Sequence, residues 1–258
     1  MTGNFRQTAK RLCEQIQEKG RDRGLLVAFE GPDGSGKTTQ RKLFKEWLVS
    51  EGYNVKTTKW NSSPLIKPII KARKSARSMD QEEFCLLHAA DFWHRLENEI
   101  LPAIFTGKTV VADRFLFTAL ARDAARGLDL HWLLHVYSPL YWPDIVFYLS
   151  VSHETSGKRI AATRTPKYYE AGQDVTNIAD PLESYHHFMS LVIREYNALA
   201  TIFKFITVDA EQPIYEQHVR IRKLFGECRE RPWPEENEEA VVEWVRTMPQ
   251  AREVGFGS

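Results

Sequence analysis

The sequence predicts a three-layer α/β fold, a five-stranded parallel sheet covered by helices on both faces. Three observations carry that reading. Short apolar runs alternate with longer amphipathic segments, the rhythm of strand–helix–strand units. A glycine-rich turn sits between the first apolar run and a helical pattern, where such folds bind anions. No internal repeat or low-complexity tract interrupts the alternation, so a solenoid or a fibrous protein is excluded.

The elements follow in order. Apolar runs at 25–29 (LLVAF), 54–60 (NVKTTKW), 109–113 (TVVAD), 144–151 (DIVFYLSV) and 205–210 (FITVDA) read as strands. Helical periodicity fills 38–50, 80–105, 115–126, 153–164 and 181–203. Residues 4–20 carry Phe5, Ala9, Leu12 and Ile16 on a rough stripe, so 1–23 reads as an N-terminal helical extension. The domain proper is expected over 24–226. Residues 227–258 shift to a Pro-broken, acidic composition and read as a tail with room for one short amphipathic helix.

Composition narrows the function classes. The chain has 258 residues, enough for one domain with a sizeable core. Lys and Arg number 35 against 34 Asp and Glu, so no global field recruits nucleic acid or a membrane surface. Any anionic ligand must be caught locally. Cys13, Cys85 and Cys228 are far apart and odd in number, which argues for a reducing compartment without a disulfide framework or zinc spacing. The polar start carries no secretion signal, and the most apolar runs are too short to cross a bilayer. A cytoplasmic protein is expected.

The glycine-rich turn, FEGPDGSGKTTQ, fits G-x-x-x-x-G-K-[ST] with Gly31, Gly36, Lys37 and Thr38. Its glycines allow successive N–H groups to face one phosphate, and the following helix adds its positive end. Gly31, Pro32, Asp33, Gly34, Ser35, Gly36, Lys37, Thr38 and Thr39 are therefore the candidate cradle for ATP. Lys37 would bridge the β- and γ-phosphates, and the Thr38 hydroxyl would hold Mg2+. This P-loop turns the fold prediction into a P-loop NTPase three-layer fold.

The longer pattern resembles the thymidylate kinase family of nucleoside monophosphate kinases. FEGPDGSGKTTQ, LLHAADFWHRLENEILPAIFTGKTVVADRF, PDIVFYLSV, KYYEAG and FITVDA carry the likeness in order across 25–225. The resemblance implies transfer of the ATP γ-phosphoryl to dTMP or a related nucleoside monophosphate, a lid segment, and a homodimer. Asp113 ends a strand on the carboxyl edge, where ligands bind in open α/β sheets, and can hold the metal. Arg114 would clamp the acceptor phosphate with its planar fork. Asp33 matches the family's acidic residue facing the acceptor or metal, and would also suit a plain turn. Ser35 stands where some members place an arginine, so Arg159 and Arg164 in the lid become the candidate catalytic cations.

The acceptor side departs from the family. Thr118 keeps the small hydroxyl, but Arg122 and Asp123 replace the Tyr-Gln pair of bacterial-type members. His88 occupies the base-stacking position, and Phe92 stands where an arginine contacts the pyrimidine. The phosphate-binding arginine after the second strand maps loosely onto Lys71 or Arg73. Thr118, Arg122 and Arg126 share one helical stripe. That stripe either borders the acceptor or forms ion pairs on a solvated helix face. Trp93 and Phe84 read as core. A kinase for another acceptor, or an ATP-binding regulatory module without turnover, stays open at this stage.

Overall fold

Strand β1 (Leu26–Glu30) is buried at all five positions, as a parallel strand covered on both faces must be. The computed structural model describes residues 23–138 and 141–228. β2 (Val55–Lys59), β3 (Thr109–Asp113), β4 (Ile145–Ser150) and β5 (Ile206–Asp209) complete a parallel sheet in the order β2-β3-β1-β4-β5. All five expected strands are present, with ends that differ by at most one residue. The register sets Phe29 beside Asp113 and Glu30 beside Tyr148. The turn after β1 therefore emerges next to the end of β3.

Ten helices cover the sheet among the described residues. They are α1 (Lys37–Ser50), α2 (Lys67–Ala76), α3 (Gln81–Arg95), α4 (Leu101–Phe105), α5 (Leu116–Ala124), α6 (Leu130–Tyr137), α7 (His153–Ala161), α8 (Tyr168–Ala171), α9 (Pro181–Ile202) and α10 (Ile214–Cys228). On one face Phe44 and Leu48 of α1 and Ile221 and Phe225 of α10 pack on Val27, Phe29 and Phe147. The other face buries α3, α5 and α9, with Phe92, Phe117, Phe188 and Tyr196 fully enclosed. Side chains cap several helix starts: Asp80 accepts from Glu83 N at 2.7 Å, Ser152 from Thr155 N at 3.2 Å, and Asp180 from Glu183 N at 2.8 Å. Before β1, Arg23 pairs with Asp144 at the start of β4.

The structure differs from the sequence pattern in three places. The expected helix over 80–105 is α3 and α4 joined by a π-helical turn, Leu96–Ile100. Pro102 lacks the N–H that would continue the regular ladder, and the wider turn absorbs the gap. Helix α2 escapes the periodicity because Ile70 is its one buried residue. Helix α10 runs unbroken through Gly226, so the domain boundary expected there falls inside a helix. The helix expected at 4–20 and the tail from 229 lie outside the described residues. Among the described residues no helix is long and apolar enough to cross a membrane.

Candidate active site

The turn between β1 and α1 holds its shape through left-handed glycines, Gly34 at φ 75° and Gly36 at φ 85°. Gly36 is the N-cap of α1 and no side chain caps that helix, which leaves its first amides available to an anion. Lys37 is 5% exposed and folds back over the turn, donating to Pro32 O and, at 3.2 Å, to Ser35 Oγ. Burial, then the neighbouring Arg114 charge, lowers its ammonium to about 7. An arriving polyphosphate reverses that shift, because an opposite charge favours the ionised amine.

Thr38 Oγ1 donates to Asp113 Oδ2 at 3.0 Å, and Arg41 Nε stands 3.4 Å from the same oxygen. A hydroxyl and a carboxylate meeting at the carboxyl edge are the hard oxygen donors that suit Mg2+.

Arg114 follows β3 in a left-handed conformation at φ 68°, a strained choice for a non-glycine residue. Its surroundings fix it there. Nη1 donates to Gly31 O at 2.8 Å and to Thr118 Oγ1 at 3.2 Å, and Nη2 pairs with Asp33. Beneath it lies Glu30, fully buried, whose carboxylate accepts from Phe115 N at 2.7 Å, Thr118 Oγ1 at 2.7 Å and Tyr196 Oη at 2.9 Å. Burial raises the Glu30 carboxyl, and these donors oppose the shift. Arg122 Nη1 also reaches Asp33 Oδ2 at 2.8 Å. Burial pushes the Asp33 carboxyl up, but Arg114, Arg122 and Lys37 outweigh it and hold the group well below the carboxylate range. Two guanidiniums thus converge on one anion.

Two cavities flank this cluster. One, of about 390 Å³, borders the glycine-rich turn, Asp113 and Arg164. The other, of about 180 Å³, is walled by Lys74, Phe84, His88, Arg122, Asp123 and Tyr169. Both touch Asp33, Trp60 and Arg114, so the two cavities adjoin around these three residues.

Several expectations are corrected here. Phe92 lines neither cavity; it is fully buried against Phe115 and Tyr137 in an aromatic core, which leaves it no route to a ligand. Lys71 is exposed, and Arg73 is tied to Glu83 by Nε at 2.5 Å; the α2 residue that faces the smaller cavity is Lys74. Arg159 donates to Gly34 O at 3.2 Å and Ala210 O at 2.9 Å, bracing the turn from outside, whereas Arg164 lines the larger cavity. Phe84 is core as read, buried with Met79 and Tyr169, and it also walls the smaller cavity. The stripe splits: Thr118 and Arg122 face the smaller cavity, while Arg126 is buried with Asp174 at 2.8 Å. The ion-pair alternative holds for Arg126, 4.0 Å from Asp123 in the interior rather than on a solvated face, and not for Arg122, which takes Asp33 as partner.

Residues 29–221 match the family described as thymidylate kinase. The chain belongs to the thymidylate kinase family. A probable thymidylate kinase 2 of Saccharolobus solfataricus is 39% identical over 207 residues, covering 80% of this chain and 97% of that protein. A probable thymidylate kinase of Pyrococcus horikoshii is 40% identical over 144 residues, 54% of this chain and 70% of that protein. The thymidylate kinase of Schizosaccharomyces pombe is 29% identical over 205 residues, 79% of this chain and 92% of that protein.

Within a thymidylate kinase scaffold, Trp60, Lys74, Tyr169 and Glu30 are the site residues that sequence reasoning passed over. Trp60 and Glu30 did leave a signal, since each ends or follows a strand on the ligand-bearing edge. The turn itself leaves no slack. A Cβ on Gly34 would overlap Ser156 O on α7 and force φ 75° on an L-residue. Gly34→Ala is expected to weaken ATP binding about tenfold or more, because left-handed strain of about 1–2 kcal/mol must relax by moving the cradle. Titration calorimetry checks it; an unchanged Kd refutes the rigidity assigned to the turn.

Proposed function

We propose that this kinase moves the γ-phosphoryl of ATP to the phosphate of dTMP, with the polyphosphate in the larger cavity and the monophosphate in the smaller. The observation that carries the reading is that the two adjoin around Asp33, Trp60 and Arg114. A γ-phosphoryl at the end of one cavity then faces an acceptor oxygen at the mouth of the other, the alignment that phosphoryl transfer chiefly requires.

Each nearby group has a task. The α1 amides and Lys37 bind the β- and γ-phosphates. Thr38 and Asp113 would hold Mg2+, which supplies charge neutralisation on the phosphate oxygens when bound. Arg114 and Arg122 release Asp33 and grip the acceptor phosphate, a bidentate partner that suits their forks. Arg164, on the lid segment, adds positive charge from above and helps exclude water. The bond from the β–γ bridging oxygen to the γ-phosphorus breaks as an acceptor phosphate oxygen bonds to it, leaving ADP and dTDP. The homodimer and cytoplasmic setting implied by the sequence belong to the same reading.

The test is ADP release coupled to a dehydrogenase readout, with saturating ATP, Mg2+ and a panel of monophosphates led by dTMP. Release stimulated strongly by dTMP is the expected outcome. No stimulation by any monophosphate above the ATP-only background refutes the assignment.

A further inference from the structure

We propose that Glu30 is a positioning residue that acts through Arg114. Its buried carboxylate draws the Thr118 and Tyr196 hydroxyl hydrogens towards itself, so that one arm of the guanidinium meets only lone pairs and stays fixed. The other arm is left to exchange Asp33 for the incoming phosphate. The inference rests on Arg114 gripping that phosphate.

Glu30 closes β1 and is fully buried. Its Oε1 accepts from Phe115 N at 2.7 Å and from Thr118 N at 3.3 Å, amides of the first turn of α5. Phe115, the N-cap, has no side chain able to do this, so a carboxylate from the neighbouring strand caps the helix instead. The first of these bonds holds the residue that directly follows Arg114, which itself sits at φ 68°.

Oε2 takes two hydroxyls, Thr118 Oγ1 at 2.7 Å and Tyr196 Oη at 2.9 Å, which lie 2.8 Å from each other. Burial raises the Glu30 carboxyl, but these donors and the Arg114 charge favour its ionised form. Each hydroxyl owns one hydrogen and a carboxylate owns none. Burial and the Glu30 charge raise the Tyr196 phenol well above its ordinary value, so it keeps that hydrogen. Both hydrogens therefore run towards Oε2, directly or through the other hydroxyl, and lone pairs remain for the guanidinium.

The two arms of Arg114 consequently differ. Nη1 donates to Gly31 O at 2.8 Å and Thr118 Oγ1 at 3.2 Å, with Tyr196 Oη at 3.5 Å. Nη2 pairs with Asp33, whose side chain is 23% exposed and borders both cavities. A phosphate can replace that carboxylate at Nη2 while Nη1 keeps its place. Glutamine at position 30 has the same shape and the opposite polarity. Its oxygen still accepts from the two amides, but its nitrogen donates to the hydroxyls, whose hydrogens then turn towards Nη1. Donor faces donor, and the fixed arm is lost.

The experiment measures kcat/KM and Kd for dTMP, Kd for ATP and the thermal melt. The proteins are wild type, Glu30→Gln, Tyr196→Phe, Arg114→Lys and the double variant Arg114→Lys with Glu30→Gln. Glu30→Gln is expected to lower kcat/KM for dTMP by about tenfold to 10²-fold, the cost of a misaligned clamp, and to change Kd for ATP by less than about twofold. A merely structural role would move both, because Glu30 leads straight into the glycine-rich turn. Lysine is a point charge with no fork to aim, so in Arg114→Lys the same substitution is expected to cost less than about threefold further. Kd for dTMP reports that comparison if Arg114→Lys turns over too slowly. Tyr196→Phe removes one lone-pair partner without inverting the other, and its kcat/KM is expected between those of wild type and Glu30→Gln. It carries the test if Glu30→Gln does not fold, and a value equal to wild type then overturns the inference. So does an unaltered kcat/KM in a folded Glu30→Gln, an equal weakening of ATP, or an equal loss in the Arg114→Lys background. Each of these leaves the kinase assignment standing. A wild type that no monophosphate stimulates overturns both.

Discussion

Lys37→Met is expected to lower kcat/KM for dTMP phosphorylation by about 10³-fold or more while leaving the fold intact. Removing one preorganised donor from a developing oxyanion costs roughly 10²–10³ in rate, and a cation on a transferring phosphoryl is worth roughly 10³–10⁵. In the proposed site Lys37 would be both at once. Burial lowers its ammonium, so the resting site gives the charge little support; the acceptors it donates to are the Pro32 carbonyl and the Ser35 hydroxyl. Stability therefore hardly depends on that charge, and a methionine of similar length fills the same space. Steady-state kinetics together with a thermal melt separate the two effects. A loss below about tenfold, with a normal melt, would remove Lys37 from the chemistry.

Arg95→Met is expected to destabilise the protein by about 3–5 kcal/mol, the range for breaking one side of a buried ion pair. Arg95 and Asp91 are both fully buried and joined at 2.7 Å one helical turn apart. The penalty falls on the partner left behind. Asp91 also accepts from Asn61 N at 3.1 Å and Ser63 N at 2.7 Å, so it cannot withdraw to water without releasing the loop after β2. Arg95 further reaches Thr58 Oγ1 at 3.2 Å and lies 5.4 Å over the Trp60 ring. Trp60 touches both cavities, so KM for ATP and for dTMP should rise together. Urea denaturation measures the first effect and kinetics the second. A shift under about 1 kcal/mol would show that Asp91 finds other compensation.

How much of this was visible in the sequence depends on how local each cause is. The five strands, the cradle and the Asp113–Arg114 step were legible because each is specified by contiguous residues: an all-apolar run, a glycine spacing, a charged pair at a strand end. Lys74 was not, because α2 is anchored by one buried residue and its rotational phase cannot be read from KARKSAR. Arg126 was not, because its burial is decided by Asp174, 48 positions away. Phe92 misled for a different reason. Its position suggested a ligand contact, but Phe115, the N-cap of α5, and Tyr137 of α6 close over it.

Arg114 shows what the site asks of the rest of the molecule. Glycine would occupy its backbone angle without penalty, and Arg114→Gly would remove strain of about 1–2 kcal/mol. Durability and usefulness therefore pull in opposite directions at this one residue. Heat-tolerant versions of this protein should not be sought there, because any gain would come from removing the guanidinium proposed to hold the acceptor.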